Sequence, residues 1–268
     1  MTLTFTILGC GSSMGVPRVA LGWGDCDPNN PKNRRRRCSL LVERGSGDAV
    51  TRVLVDTSPD LREQLLDAQV TSLNAVFYTH GHADHTHGID DLRPLFIKAR
   101  QRVNVYLDEP TGGLLEKKFG YCFETPAGSG YPPILQAHRV AAGQRIDVEG
   151  PGGVISVLPV LQRHGEITSL GYRFDGLAYS CDINGLPDES IEVMSGLQVW
   201  IVDALRDAPH PSHFTLADAL AWIERLKPKR AILTNLNPEF DYEALRARLP
   251  SHVEPAYDGL RVALPLTA

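Results

Sequence analysis

Between Thr79 and Gly88 the sequence reads Thr-His-Gly-His-Ala-Asp-His-Thr-His-Gly. His80, His82, Asp84 and His85 therefore offer three imidazoles and a carboxylate from one short loop, spaced only by Gly81, Ala83 and each other. The loop follows directly on Asn74-Ala75-Val76-Phe77-Tyr78, a run that reads as a strand. A buried histidine needs a hydrogen-bond partner of its own, and four such groups leaving one strand end are a poor recipe for a core. Imidazole and carboxylate are donors for zinc, manganese or iron. Cysteine, the usual donor of a closed structural zinc site, is missing from the loop, so its composition points to a catalytic metal site.

Two solitary residues stand at comparable places further on. His164 follows the strand-like run Val154–Val160, and Asp182 follows Leu177-Ala178-Tyr179-Ser180-Cys181. Each alone is an ordinary loop residue; beside the first cluster they would add a third imidazole and a bridging carboxylate. Asp56 closes another strand and reads either as a turn residue or as a carboxylate orienting a metal-bound histidine from behind. His210-Pro211-Ser212-His213 precedes an amphipathic helix expected over 215–226.

The elements that must carry these groups alternate along the chain. Strands are expected at 3–8, 38–43, 51–55, 74–78, 102–107, 144–148, 153–160, 169–174, 177–180, 198–202, 231–233 and 260–264. Helices are expected from Pro59 to about Gln69, capped by Thr57 or Ser58, from Gly88 to about Arg100, over 111–119, and over 241–249. The region 108–143 otherwise reads as an irregular excursion over the core, covering the site. Gly9-Cys10-Gly11-Ser12-Ser13-Met14-Gly15 is either a loop offering N–H groups to an anion or a plain turn. The run Arg34-Arg35-Arg36-Arg37 reads as a solvated face, or as guanidinium groups placed to reach a phosphate. No repeat, low-complexity tract or polar linker divides the chain, so residues 1–268 are read as one domain of mixed sheets with outer helices.

Bulk properties narrow the function. The chain has 268 residues, 43% hydrophobic and 22% charged, values of an ordinary globular enzyme. A net charge of −5 disfavours a nucleic-acid partner held by bulk electrostatics, so no stable nucleic-acid complex is expected. The N-terminus has no basic segment of a signal peptide, and no apolar run approaches the roughly 20 residues that span a bilayer. The five cysteines are scattered and form no CxxC pair, which reads as reduced thiols in the cytoplasm. A homodimer is compatible with the sequence, which contains nothing that specifies one.

With His80-x-His82-x-Asp84-His85, then His164 and Asp182, the chain resembles the metallo-β-lactamase superfamily. The resemblance implies an αβ/βα four-layer sandwich, two mixed β-sheets flanked by helices, with a dinuclear site where the sheets meet. Gly15-Val16-Pro17, Asn33–Ser39, Asp56-Thr57-Ser58-Pro59-Asp60, His164-Gly165 with Ser169–Tyr172, and Lys229–Thr234 resemble its PhnP-type branch, which contains the phosphodiesterase that opens phosphoribosyl 1,2-cyclic phosphate. That similarity implies His80, His82 and His164 on one ion, Asp84 and His85 on the other, Asp182 bridging, and His213 as an extra histidine near the leaving group. The chain departs from the pattern twice. Asn235 stands where a histidine normally completes the second ion's shell, so that ion is expected to bind less tightly or to recruit water, His210 or His213. Only Cys26 lies in the loop corresponding to a cysteine-rich structural zinc site, so that zinc is expected to be absent.

The chemistry so implied is hydrolysis of a small phosphodiester, cyclic in the branch's type case, of a sugar phosphate or nucleotide. Two divalent ions about 3.5–4 Å apart activate a bridging water for in-line attack on phosphorus. Asp84 would balance charge and orient the attacking hydroxide, and His213 would protonate the leaving oxygen. Zinc, manganese and iron all suit such a shell. Other readings are a thioester, lactam or RNA 3′-end hydrolase on the same scaffold, or a weakly catalytic nucleotide-binding protein.

Overall fold

The computed structural model describes residues 2–266. In chain order its strands are β1 (Thr2–Gly9), β2 (Ser39–Ser46), β3 (Ala49–Val55), β4 (Ala75–Phe77), β5 (Val103–Leu107), β6 (Leu135–Arg139), β7 (Ile146–Val148), β8 (Ile155–His164), β9 (Ile167–Phe174), β10 (Leu177–Ser180), β11 (Val199–Asp203), β12 (Arg230–Thr234), β13 (Val253–Pro255) and β14 (Arg261–Pro265). Its α-helices are α1 (Leu61–Asp67), α2 (Ala83–Thr86), α3 (Arg93–Ala99), α4 (Glu109–Phe123), α5 (Asp188–Val193), α6 (Leu216–Leu226) and α7 (Tyr242–Ala247).

The strands form two seven-stranded sheets, ordered β14-β1-β2-β3-β4-β5-β6 and β13-β12-β11-β10-β9-β8-β7. In the first, the pairings from β14 to β3 are antiparallel and those from β3 to β6 parallel. The second repeats this, antiparallel from β7 to β10 and parallel from β10 to β13. Each half thus switches from hairpin to crossover connections at its fourth strand, β3 or β10.

Strand periodicity explains the layers. In β3, Val53 and Val55 face the core between the sheets while Leu54 faces α1 and α4; in β11, Ile201 faces the inter-sheet core while Trp200 and Val202 pack towards α6 and α7. Both sheets are therefore covered on both faces, which requires the near-continuous apolar runs seen in their parallel strands. The result is the four-layer αβ/βα sandwich. Two hydrogen bonds tie the sheets together beneath the histidine loop: Tyr172 Oη donates to the Tyr78 carbonyl at 2.5 Å, and the Leu170 amide to the Thr79 carbonyl at 2.8 Å.

Several expectations need correction. The region 108–143 is not an excursion: α4 extends over Glu109–Phe123 and the chain then returns as β6, an edge strand of the first sheet. The first helix begins after Asp60, while Thr57 Oγ1 bonds Tyr78 and Thr86, and Ser58 Oγ accepts from the Asp60 amide. The arginine run is not a solvated face. In extended backbone its side chains alternate, so Arg35 is buried and donates to the carbonyls of Asn237 and Phe240, while Arg36 pairs with Asp67 and Asp258 and Arg37 with Asp60. Arg35 and Arg36 thus fasten this loop to the C-terminal third, Arg37 ties it to the turn before α1, and of the four only Arg34 is exposed.

Gly88 ends the histidine loop against the first sheet's helical layer. A Cβ there would stand 2.0 Å from the Ser58 carbonyl oxygen and 2.9 Å from Leu61 Cβ. Gly88→Ala is therefore expected to lower stability by about 1–3 kcal/mol. Urea unfolding should show this as a lower midpoint at unchanged slope; an unchanged midpoint would mean that the loop moves aside freely.

Candidate metal centre

All the candidate groups except His213, which lies in the loop between β11 and α6, leave the carboxyl ends of strands, the place where open α/β sheets present their ligands. Asp56 follows β3, His80 to His85 follow β4, His164 ends β8, Asp182 follows β10, Asp203 ends β11 and Asn235 follows β12. His82 caps α2, a single turn whose first residues place Asp84 and His85 side by side. Gly81 admits the close approach of α4, since a Cβ there would lie 2.4 Å from Leu114 Cδ2.

The structure gathers the histidines around the two oxygens of Asp182. His80 Nε2 lies 3.6 Å and His164 Nε2 3.5 Å from Oδ2, and His85 Nε2 lies 3.3 Å from Oδ1. His82 Nδ1 is 3.3 Å from His164 Nε2, and Asp84 Oδ2 is 3.4 Å from His85 Nε2. The donor atoms of His80, His82, His164 and Asp182 lie within 4.8 Å of one another. His87, His138 and His252 are not brought to this cluster: His87 meets Phe119 edge to face, and His138 bonds Asn104.

The partners behind these rings fix their direction. Asp56, fully buried, lies 2.7 Å from His85 Nδ1 and accepts from the Thr79 amide and hydroxyl, both at 2.8 Å. Thr79 Oγ1 is 3.0 Å from His80 Nδ1, and the Ser212 carbonyl is 2.7 Å from His164 Nδ1. His213 Nδ1 is 2.7 Å from Asp203 Oδ2. Asp203 was not singled out in the sequence; a carboxylate at a strand's last position near a histidine ten residues on is its only signal there.

Electrostatics divide the rings. Burial pushes His80 well below its ordinary range and lowers His164 as well, so both are neutral at pH 7 and present a lone pair. Burial opposes a charged His85, but Asp182, Asp84 and Asp56 outweigh it and hold the ring well above the usual value. Burial also pushes the Asp203 carboxyl up to about 6, even beside His213.

Divalent ions fit this donor set. His80 Nε2 and His85 Nε2 are buried without any hydrogen-bond partner, and both face the Asp182 carboxylate. An unpartnered buried polar atom costs about 1–3 kcal/mol, which coordination would remove. The cluster opens into a cavity of about 310 Å³, lined by Ser12, Arg18, Asp84, Arg206 and Asn237 among others. A second cavity of about 670 Å³ borders the far side of His80 and His82, with Leu114, Arg163 and Ile167 in its walls.

Residues 51–234 match the family model described as a beta-lactamase superfamily domain. The chain belongs to the metallo-β-lactamase superfamily. Within it, the chain falls in the PhnP branch: a crystal structure described as a new diphosphatase from the PhnP family is 37% identical, with a TM-score of 0.88, covering 100% of this chain and 99% of that one. A protein of Porphyromonas gingivalis (strain ATCC BAA-308 / W83) described as an octanoyltransferase is 32% identical over 263 residues, 96% of this chain and 51% of that protein. The chain thus spans about half the length of that curated relative. Zn(2+)-bound PqqB from Methylobacterium extorquens shares the fold at 18% identity and a TM-score of 0.71, with 97% and 99% of the two chains covered. Among the described residues no helix is long and apolar enough to cross a membrane.

Asp56 tests the orientation of His85 directly. Asp56→Asn is expected to weaken zinc binding about 10–100-fold, the usual cost of losing a partner behind a ligating histidine. Competition with a chromophoric chelator measures it; unchanged affinity would show that His85 does not depend on this carboxylate.

Proposed function

We propose that this protein is a metal-dependent hydrolase of small phosphodiesters, acting on a sugar phosphate or nucleotide. The observation that carries the reading is that His82, Asp84 and Asp182 of the cluster line one cavity together with Arg18 and Arg206. Among the described residues, neither guanidinium is within ion-pair distance of a carboxylate. Arg18 Nη2 donates to Asn237 Oδ1 at 2.6 Å, and Arg206 donates to the carbonyls of Ala208 and Pro209 at 3.1 and 2.8 Å. Both are held in place by neutral acceptors, which leaves their charge for an anion in the cavity. At about 310 Å³ the cavity takes a small molecule.

On this reading His80, His82 and His164 would hold one ion and Asp84 and His85 the other, with Asp182 available to both. Zinc or manganese, or iron, suits the set. Divalent ions bound there supply Lewis acidity and lower the pKa of water. The chain's own groups would then position the substrate: the arginines draw the anionic ester against the cluster, and Asp84, lining the cavity beside His85, orients the attacking water.

A second reading, hydrolysis of a diphosphate linkage, is favoured by the PhnP-family relative described as a diphosphatase. Two uncompensated arginines suit a second phosphoryl group, and phosphorus carries two substituents in either linkage, so one arrangement serves both.

Metal-stripped protein titrated with manganese or zinc is expected to hydrolyse bis(p-nitrophenyl) phosphate in proportion to the metal bound. In His82→Ala turnover should fall by more than about 100-fold, beyond what loss of a supporting partner costs. Activity indifferent to chelator, or near-normal in His82→Ala, would remove the assignment. The arginines separate the substrates. Arg18→Gln and Arg206→Gln should each raise KM for ADP-ribose about 10-fold, roughly the worth of one charged hydrogen bond, if a second phosphoryl group is bound there. The value for bis(p-nitrophenyl) phosphate should change much less; equal effects on both substrates would favour the simple diester.

A further inference from the structure

Four imidazoles, not three, aim Nε2 at the Asp182 carboxylate. His213 Nε2 lies 3.8 Å from Oδ2, beside His80 at 3.6 Å and His164 at 3.5 Å, and His85 approaches Oδ1 at 3.3 Å. All four are built alike behind the ring. Nδ1 of His80 meets Thr79 Oγ1, that of His164 the Ser212 carbonyl, and those of His85 and His213 a fully buried aspartate, Asp56 or Asp203, each at 2.7 Å. A carboxylate or carbonyl at Nδ1 takes the proton of the neutral ring there and leaves the lone pair on Nε2, the form in which histidine binds a metal. Asp56–His85 and Asp203–His213 are the same device on opposite sides of one carboxylate.

Asn235 is committed elsewhere. Its Nδ2 donates to Asp182 Oδ1 at 3.0 Å and lies 3.2 Å from His213 Nδ1. Turning the amide over would set its carbonyl oxygen against the carboxylate oxygen of Asp182, oxygen to oxygen with no proton between them. The amide is thus a donor that steadies Asp182, and the place next to it needs another lone pair.

We propose that His213 Nε2, held by Asp203, is the fourth protein donor of the second divalent-ion site, completing Asp84, His85 and Asp182, with Asn235 a supporting hydrogen-bond donor. Two donors each about 2.1 Å from one ion stand at most about 4.2 Å apart; His213 Nε2 lies within that limit of Asp182 Oδ2, the oxygen that also faces His80 and His164, so on this assignment Oδ2 would be shared by the two ions. The assignment holds whatever the substrate, and it gives His213 a different task from protonating a leaving group.

The test is the number and affinity of bound ions. Metal-stripped full-length protein is titrated with zinc by calorimetry, and the ions retained after gel filtration are counted by mass spectrometry. A parallel titration with cobalt(II) follows the visible absorption of each equivalent. Wild type is expected to bind two ions. His213→Ala should keep the first and weaken the second by more than about 100-fold, and Asp203→Asn, which preserves shape, should weaken it about 10–100-fold. Asn235→Ala should change it by less than either, and His213→Ala/Asn235→His should recover it. The retained first ion is the internal control for folding. Two ions at wild-type affinity in both His213→Ala and Asp203→Asn would overturn the proposal and return His213 to the proton-donor role. A wild type that binds one ion only would overturn it as well. Neither result depends on which ester or anhydride the enzyme cleaves.

Discussion

The carboxylate of Asp182 is the interaction on which the rest of this site depends. It sits buried at the end of β10, where the second sheet changes from hairpins to crossovers, and receives histidines from both halves of the chain. A buried carboxylate is costly unless it is paired, and here burial is outweighed by His85 first and by His213 among the others, which hold the carboxyl well below the usual carboxylate range. Removing that charge would leave several imidazoles facing one another in a cavity wall. The centre is a mutual arrangement: the rings justify the carboxylate, and the carboxylate gathers the rings.

The fold makes this arrangement possible by repeating itself. Each half contributes three antiparallel pairings, then three parallel ones, and each turns over at its fourth strand. Pairing the halves face to face brings the carboxyl ends of β3 and β4 against those of β10, β11 and β12. The inter-sheet core, with Phe5, Phe77, Tyr172 and Phe174 among its members, sets the distance between those ends. The hydrogen bonds from Tyr172 and Leu170 to Tyr78 and Thr79 then fix the sheets in register just under the loop. Metal geometry here is a property of the core as much as of the loop.

What was legible in the sequence follows from how local each feature is. His80, His82, Asp84 and His85 are adjacent, so their chemistry could be read without knowing the fold. His164 and Asp182 became readable through their places after strands and through resemblance. Asp203 was invisible because its significance lies wholly in His213, which it meets across a loop. Arg18 directly follows Gly15-Val16-Pro17, and nothing in the sequence marked it. The Arg34–Arg37 run misled because four consecutive charges read as solvent-facing, whereas extended backbone sends alternate side chains in opposite directions. The strand β6 was missed because Leu135–Arg139 is an edge strand with polar positions on both sides, which gives it no clear alternation.

Three of the residues around the centre share a backbone feature. Asp56, Asp182 and Asn235 have φ of +64°, +52° and +61°, each in the turn leaving a strand. That left-handed region is tolerated by glycine, aspartate, asparagine and histidine and resisted by most other side chains. The turn geometry therefore filters which residues can occupy these positions before any metal is considered. Drift at these positions is channelled among a few residues, of which asparagine at 235 is one and the histidine usual in the superfamily another. A lineage of this fold can weaken or retune an ion site by such exchanges without disturbing the strands that carry it, so variation in metal use should be easier to acquire than variation in architecture.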